Sequence, residues 1–262
     1  MFNKDLWQRC AYKIPNLFFA PHSLIEYGQI ISAAKEQGYK FYTLQDFRSA
    51  DISDTEAFII LRHDIDTDPQ GALRFAEIEL KHGVKASYFF RRSTWHPGVM
   101  NVLHHGGHEV GYHYEELSDY AKKHHIKRKE EILKHLACIR KTFAANLSAL
   151  SKTVDFQLSS AAAHGDFSYK TLDVGNKLLL KDEQLRASTG IAYEAYDEPL
   201  VDKYRNHISD KPAPQRFYPA SPQELIQGRD SFLFLSHPRW WMPNPLVSAI
   251  SDCRAMVQKI LW

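Results

Sequence analysis

The sequence predicts an α/β protein, a parallel sheet assembled from repeated strand–helix units. Three observations predict it. Short apolar runs rich in β-formers alternate with stretches of helical period from the middle of the chain onward. The helical stretches open on capping residues or close on glycine. Several apolar runs end in histidine or carboxylate, at the strand ends where such sheets place their reactive groups.

The strand candidates, in order, are 57–66, 84–90, 108–115, 154–163, 191–196 and 231–237, with a weaker one at 204–208. Ser23-Leu24-Ile25-Glu26 reads as a capping box. Asp68-Pro69 places an N-cap before proline at the first helical position, and Ser221-Pro222-Gln223-Glu224 combines both devices. The helix opened by Asp68 carries Ala72, Phe75, Ala76, Ile78 and Leu80 at helical period and stops at Gly83. The stretch 195–219 holds Pro199, Pro212, Pro214 and Pro219 among many charges and reads as a long loop or an excursion from the sheet.

With 262 residues, 44% hydrophobic and 24% charged, the chain can bury a sizeable core. The absence of repeats, linkers and composition shifts predicts one domain, 1–262, entered through an N-terminal helical lead-in, 1–56. A formal charge of +2 argues against a nucleic-acid partner. The one basic block, Lys122 to Lys129, reads as a solvated helix face; attraction to a lipid-linked or membrane-surface substrate, a peripheral contact, is the alternative. Cys10, Cys138 and Cys253 are far apart and lack a CxxC spacing, so free thiols packed as small hydrophobes are expected. No apolar run reaches the roughly 18 residues that span a bilayer, and the start lacks the layout of a signal peptide, so a cytoplasmic protein is expected.

Histidine outnumbers glycine, 14 to 12, and the histidines concentrate the chemistry. In Arg62-His63-Asp64-Ile65-Asp66, strand alternation puts Asp64 and Asp66 on one face and His63 on the other. Two carboxylates in one pocket repel unless a cation sits between them, so a divalent metal beside a general base is a natural resolution. In Gly107-His108-Glu109-Val110-Gly111-Tyr112-His113-Tyr114-Glu115 the same alternation aligns His113 with Glu115, a usable ligand pair, and leaves His108 near the strand start with a structural role. His164 and His237 each stand where an apolar run ends. Trp240 and Trp241 either stack on a sugar face or cover the core.

These residues resemble the polysaccharide deacetylases of the NodB-homology type, a carbohydrate esterase family of metal-dependent enzymes. The resemblance runs from about residue 59 to residue 237 and is clearest at Arg62-His63-Asp64-Ile65-Asp66, Val84-Lys85-Ala86-Ser87-Tyr88-Phe89-Phe90 and Gly107-His108-Glu109-Val110-Gly111-Tyr112-His113. The spacing of the first segment is that of a divergent subgroup with an HDxD motif. The resemblance implies a distorted, TIM-like (β/α) barrel of about seven parallel strands. It implies Asp64 as catalytic base, Asp66 and His113 as metal ligands and His237 as proton donor to the leaving group. The family's second metal histidine falls on Leu117, which cannot ligate. His164 is the expected third ligand; Glu115 and His63 are supporting or alternative ligands, and Arg62 and Trp240 are expected to contact substrate. The family's third motif, at His164, lacks its usual arginine and proline here.

The implied function is a metal-dependent deacetylase that removes an N-acetyl group from a sugar of a surface polysaccharide or its precursor, with zinc, nickel or cobalt as cofactor. An acetylated sugar or glycan precursor is then the partner. Two alternatives stand beside it: hydrolysis of another amide or ester on the same scaffold, and a carbohydrate-binding protein whose catalysis has decayed.

Overall fold

The computed structural model describes residues 22–262 apart from 54, 205, 213, 242 and 243. Cys10 and the first 21 residues of the expected lead-in lie outside them. The strands are β1 (Lys40–Tyr42), β2 (Phe58–Ile65), β3 (Ser87–Phe90), β4 (Glu109–Tyr114), β5 (Ser160–Ala163), β6 (Tyr193–Glu194), β7 (Asn206–Asp210), β8 (Phe217–Tyr218) and β9 (Phe232–Ser236). They form one sheet in the order β6-β5-β4-β3-β2-β9-β7-β8, with β1 paired to the first three residues of β2. Every pairing is parallel except β7 with β8. The molecule is thus a mixed α/β protein with a mostly parallel central sheet.

The run from β6 to β7 contains seven parallel strands, but among the described residues its two ends do not pair, so the sheet stays open where a barrel would close. It is nonetheless strongly curled. In a flat sheet six strand spacings of about 4.8 Å would separate β6 from β7. Instead the ring of Tyr196, two residues past β6, lies 6.5 Å from that of His207 on β7. The concave side is filled by Phe58, Ile60, Phe89, Ala162, Tyr193, Leu233 and Leu235, which share one buried cluster.

On the convex side, Ile59, Leu61 and Ile65 pack with Tyr27, Ile30 and Ile31 of the helix Leu24–Glu36 and with Ala72 and Phe75 of the helix Gln70–His82. His63 points to this side. It is fully buried, bonded to Glu79 Oε1 at 2.7 Å and Ser236 Oγ at 2.6 Å, while Tyr27 and Tyr88 donate to the same carboxylate. His108 completes the group 3.4 Å from Glu79.

The local signals act much as read. Ser23 and Ser221 cap their helices, Ser221 within a full capping box, and Gly83 ends its helix at φ 64°, where glycine carries no Cβ penalty. Asp68 accepts the Gln70 N–H, although the helix is counted from Gln70. Of the proline-rich stretch, the weaker strand expected at 204–208 is present as β7 and is followed by the short β8, so the stretch returns to the sheet. One reading needs correction. Cys138 and Cys253 are exposed free thiols rather than packed ones, because both lie on outward helix faces.

Candidate active site

Strand alternation carries Arg62 and Asp64 to the concave side at the C-terminal half of β2, and Asp66 follows one residue beyond the strand. β4 delivers His113 and the residue after β5 delivers His164. One donor atom from each of Asp66, His113 and His164 lies within 4.8 Å of the others. His113 Nε2 and His164 Nε2 are each 3.6 Å from Asp66 Oδ1.

The surroundings fit a cation at this point. Asp66 Oδ1 is buried and meets no hydrogen-bond donor among the described residues, which is costly unless a positive group faces it. His113 Nδ1 donates to the Ala162 carbonyl at 2.9 Å, leaving Nε2 free to face the other donors. Burial, aided by His164 and Arg62, outweighs the attraction of Asp64 and Asp66 and brings the His113 pKa down to about 4. Its imidazole is therefore neutral, the form that binds metal. His164 Nδ1 lies 3.3 Å from Glu115 Oε2, so its other nitrogen faces the cluster. One carboxylate and two imidazoles make a borderline donor set suited to zinc or another late divalent metal.

Glu115 does not join the three donors. It is gripped by Arg91, Nε to Oε1 at 3.1 Å and Nη2 to Oε2 at 2.5 Å, and stands behind His164. Burial raises its pKa, but His164 and Arg91 more than reverse this, holding it well below the usual carboxylate range. His63 faces the opposite side of the sheet, as alternation requires, and does not reach the cluster.

Arg62 and Asp64 are bound to each other. Nε and Nη2 of Arg62 donate to the two Asp64 oxygens, both at 2.9 Å. The guanidinium is completely buried, with Phe89 and Tyr196 rings 5.3 and 4.7 Å from it. Burial pushes Asp64 up, but the charges of Arg62, His113 and His237 prevail and keep it far below the usual range. The same oxygen that Nη2 holds lies 3.3 Å from His113 Nε2.

On the neighbouring strand end, His237 Nε2 is 4.0 Å from Asp66 Oδ2. Its ring is fixed by Asp210, which accepts from Nδ1 and from the His237 backbone N–H, both at 2.6 Å, and from the Trp241 indole at 2.7 Å. Burial lowers the His237 pKa, but Asp210, Asp66 and Asp64 raise it to about 9. Trp240 is half-buried under Arg239, whose guanidinium is 4.6 Å from the ring.

Asp210, Arg91 and Glu194 escape the sequence reading. Asp210 lies two residues past the weaker strand expected at 204–208, in a segment whose single apolar residue, Ile208, gives no clear period. Glu194 accepts the N–H groups of Ala163 and Tyr196, each at 2.7 Å, and so joins the ends of β5 and β6 beside the site. Burial raises its pKa to about 7. A cavity of about 230 Å³ is lined by His164 together with Leu117, Tyr169, Val174 and Tyr196, and by Asp166, Asn176 and Lys177 among its polar residues. Leu117 is 1% exposed and belongs to the apolar cluster between β4, β5 and the helix Leu136–Ser151, so it takes no part in the group of donors.

No family model matches the chain, and no curated protein matches it. Among solved structures it is similar to a CE4 family pseudoenzyme from Bacillus anthracis, with a TM-score of 0.40 and 11% identity, covering 77% of this chain and 61% of that one. A mutant of that pseudoenzyme with restored enzymatic activity gives 0.40 and 12%, covering 78% and 64%. The peptidoglycan deacetylase PdaC from Bacillus subtilis gives 0.40 and 14%, covering 79% and 94%. This chain spans less than two thirds of the Bacillus anthracis chains.

Proposed function

We propose that the chain is a divalent-metal-dependent deacetylase acting on the N-acetyl group of a sugar in a surface glycan or its precursor. The observation that carries this reading is the convergence of Asp66, His113 and His164 within 4.8 Å, flanked by an ionised carboxylate on one side and a charged imidazole on the other. Asp66, His113 and His164 would hold the metal. When bound, it lowers the pKa of a coordinated water toward neutrality and polarises a carbonyl.

The remaining work falls to this chain's own side chains. Asp64, oriented and kept ionised by Arg62, takes the proton of the attacking water. His237, held protonated by Asp210 up to about pH 9, gives a proton to the departing amine nitrogen as the C–N bond breaks. Glu115 and Arg91 fix the His164 ring. The cavity beside His164 is smaller than the roughly 300–1,000 Å³ of drug-sized ligand sites, which suits one sugar unit with its acyl group better than a long chain.

The test is elemental analysis of purified wild type beside His113→Ala and His164→Ala, followed by acetate release from N-acetylated sugars. Stoichiometric metal in wild type, lost from both variants, and turnover that disappears in Asp64→Asn while metal stays bound, are expected. Wild-type protein that takes up no zinc, nickel or cobalt overturns the reading in favour of a decayed, glycan-binding site.

A further inference from the structure

The nitrogen and the acyl chain of an amide lie on opposite sides of its carbonyl carbon, so the position of the proton donor tells where the chain goes. His237 Nε2 is 4.0 Å from Asp66 Oδ2, whereas His164 Nε2 is 3.6 Å from the other oxygen, Oδ1. A leaving nitrogen that faces His237 therefore turns the acyl chain toward His164. There it meets the cavity of about 230 Å³ that His164 itself lines.

The polar side chains of that cavity are largely engaged by the protein. Asn176 donates to the His164 carbonyl at 2.8 Å and accepts the Ser118 N–H at 3.0 Å, and Ser118 Oγ donates to the Glu115 carbonyl at 2.9 Å. Asp166 accepts from Lys122 Nζ and from the Ser168 N–H, both at 2.8 Å. Lys177 is exposed, and so long a side chain keeps its ammonium in water. What remains is the apolar surface of Leu117, Ala163 and Val174 and the rings of Tyr169 and Tyr196. Sugar hydroxyls buried here would lose water without gaining partners, whereas methylene groups gain by leaving water. The space is also several times the roughly 30 Å³ of one water. An acetyl methyl is little larger than a water and leaves most of it unfilled.

We infer that the site hydrolyses N-acyl sugars whose acyl group is longer than acetyl, a chain of about four to six carbons entering this cavity while the sugar ring stays toward His237. Breaking the C–N bond then releases a short-chain carboxylate and a free amino sugar, the attacking water supplying the second carboxylate oxygen and His237 a proton to the amine. The inference rests on the hydrolase reading given above and changes only the length of the acyl group. Acetyl remains a substrate, but a poorer one.

The whole chain with zinc is given N-acetyl-, N-butyryl-, N-hexanoyl- and N-decanoylglucosamine, and the amine released is measured. kcat/KM should rise by roughly three-fold per added methylene up to hexanoyl and drop at decanoyl, whose chain outgrows the cavity. Val174→Trp fills the cavity from its half-buried wall, and Gly165→Leu fills it from a position where a Cβ meets nothing within 4 Å. Each should bring the hexanoyl-to-acetyl ratio to near one. The ratio is read within one preparation, so a variant of low overall activity still reports, and if one variant does not fold the other decides. Acetyl turned over by wild type at least as well as hexanoyl overturns the inference and leaves the deacetylase reading intact, as does a ratio indifferent to both variants. If no member of the series is turned over, the hydrolase reading itself is what fails, and the chain-binding cavity is judged by ligand-observed NMR. Hexanoate should bind at least roughly ten-fold tighter than acetate, an advantage lost in Val174→Trp, and equal binding of the two overturns it.

Discussion

Asp210 takes three donors on two oxygens, the ring and backbone N–H of His237 and the indole of Trp241. That fixes both the rotamer and the proton affinity of His237. A histidine whose folded pKa is raised lends stability that is complete below its unfolded value of 6.5 and is lost as pH climbs through the folded value of about 9. In chelator-treated protein, an NMR titration of the His237 ring should therefore have its midpoint near 9. Asp210→Asn should lower the midpoint and flatten the alkaline loss of melting temperature. A midpoint unchanged by that substitution would show that Asp210 does not hold the proton. Arg62 acts similarly on Asp64, and Arg62→Ala would leave a buried carboxylate unpaired, at a cost of about 3–5 kcal/mol in unfolding free energy by urea titration.

At the scale of elements, the register of β2 was legible because period-two alternation is strict. It separated Asp64 and Asp66 from His63, and in the structure Asp64 faces the concave side, with Asp66 just past the strand, while His63 faces the convex side. Capping residues likewise announced their helices. The three-residue β1 and two-residue β8 were not legible, since so few residues show no period. Val154, Phe156 and Leu158 alternate like a strand and their side chains do pack in the core clusters, but β5 begins only at Ser160, where backbone pairing with β4 and β6 starts. Gly111 has a role that spacing could not show. A Cβ there would sit 2.5 Å from the Phe89 ring and 2.8 Å from the Ser160 carbonyl oxygen, so its bare backbone lets Phe89 fill the concave side just below His113. Gly111→Ala should cost roughly 1–3 kcal/mol by overpacking and weaken metal retention by shifting β4. Wild-type stability in urea together with wild-type metal content would contradict this account.

At the scale of the whole molecule, the three proposed ligands come from the ends of β2, β4 and β5, and the Asp210–His237 pair from β7 and β9. Curling of the sheet brings these ends together, and no local pattern in the sequence encodes it; only the recurrence of histidine and carboxylate at successive strand ends hinted at convergence. A cation at Asp66, His113 and His164 would therefore add a tie across the ends of three strands. A ligand that binds the folded chain alone stabilises it by RT ln(1 + [L]/Kd), about 2.7 kcal/mol at one hundred times Kd. Zinc added to chelator-treated protein should thus raise the melting temperature by several degrees, in proportion to the logarithm of free metal. His113→Ala should abolish the rise, whereas Glu115→Gln, which removes charge behind His164 but no ligand, should retain it at higher metal concentration. Equal stabilisation of wild type and His113→Ala would place the metal elsewhere on the molecule and detach the curled sheet from the chemistry proposed for it.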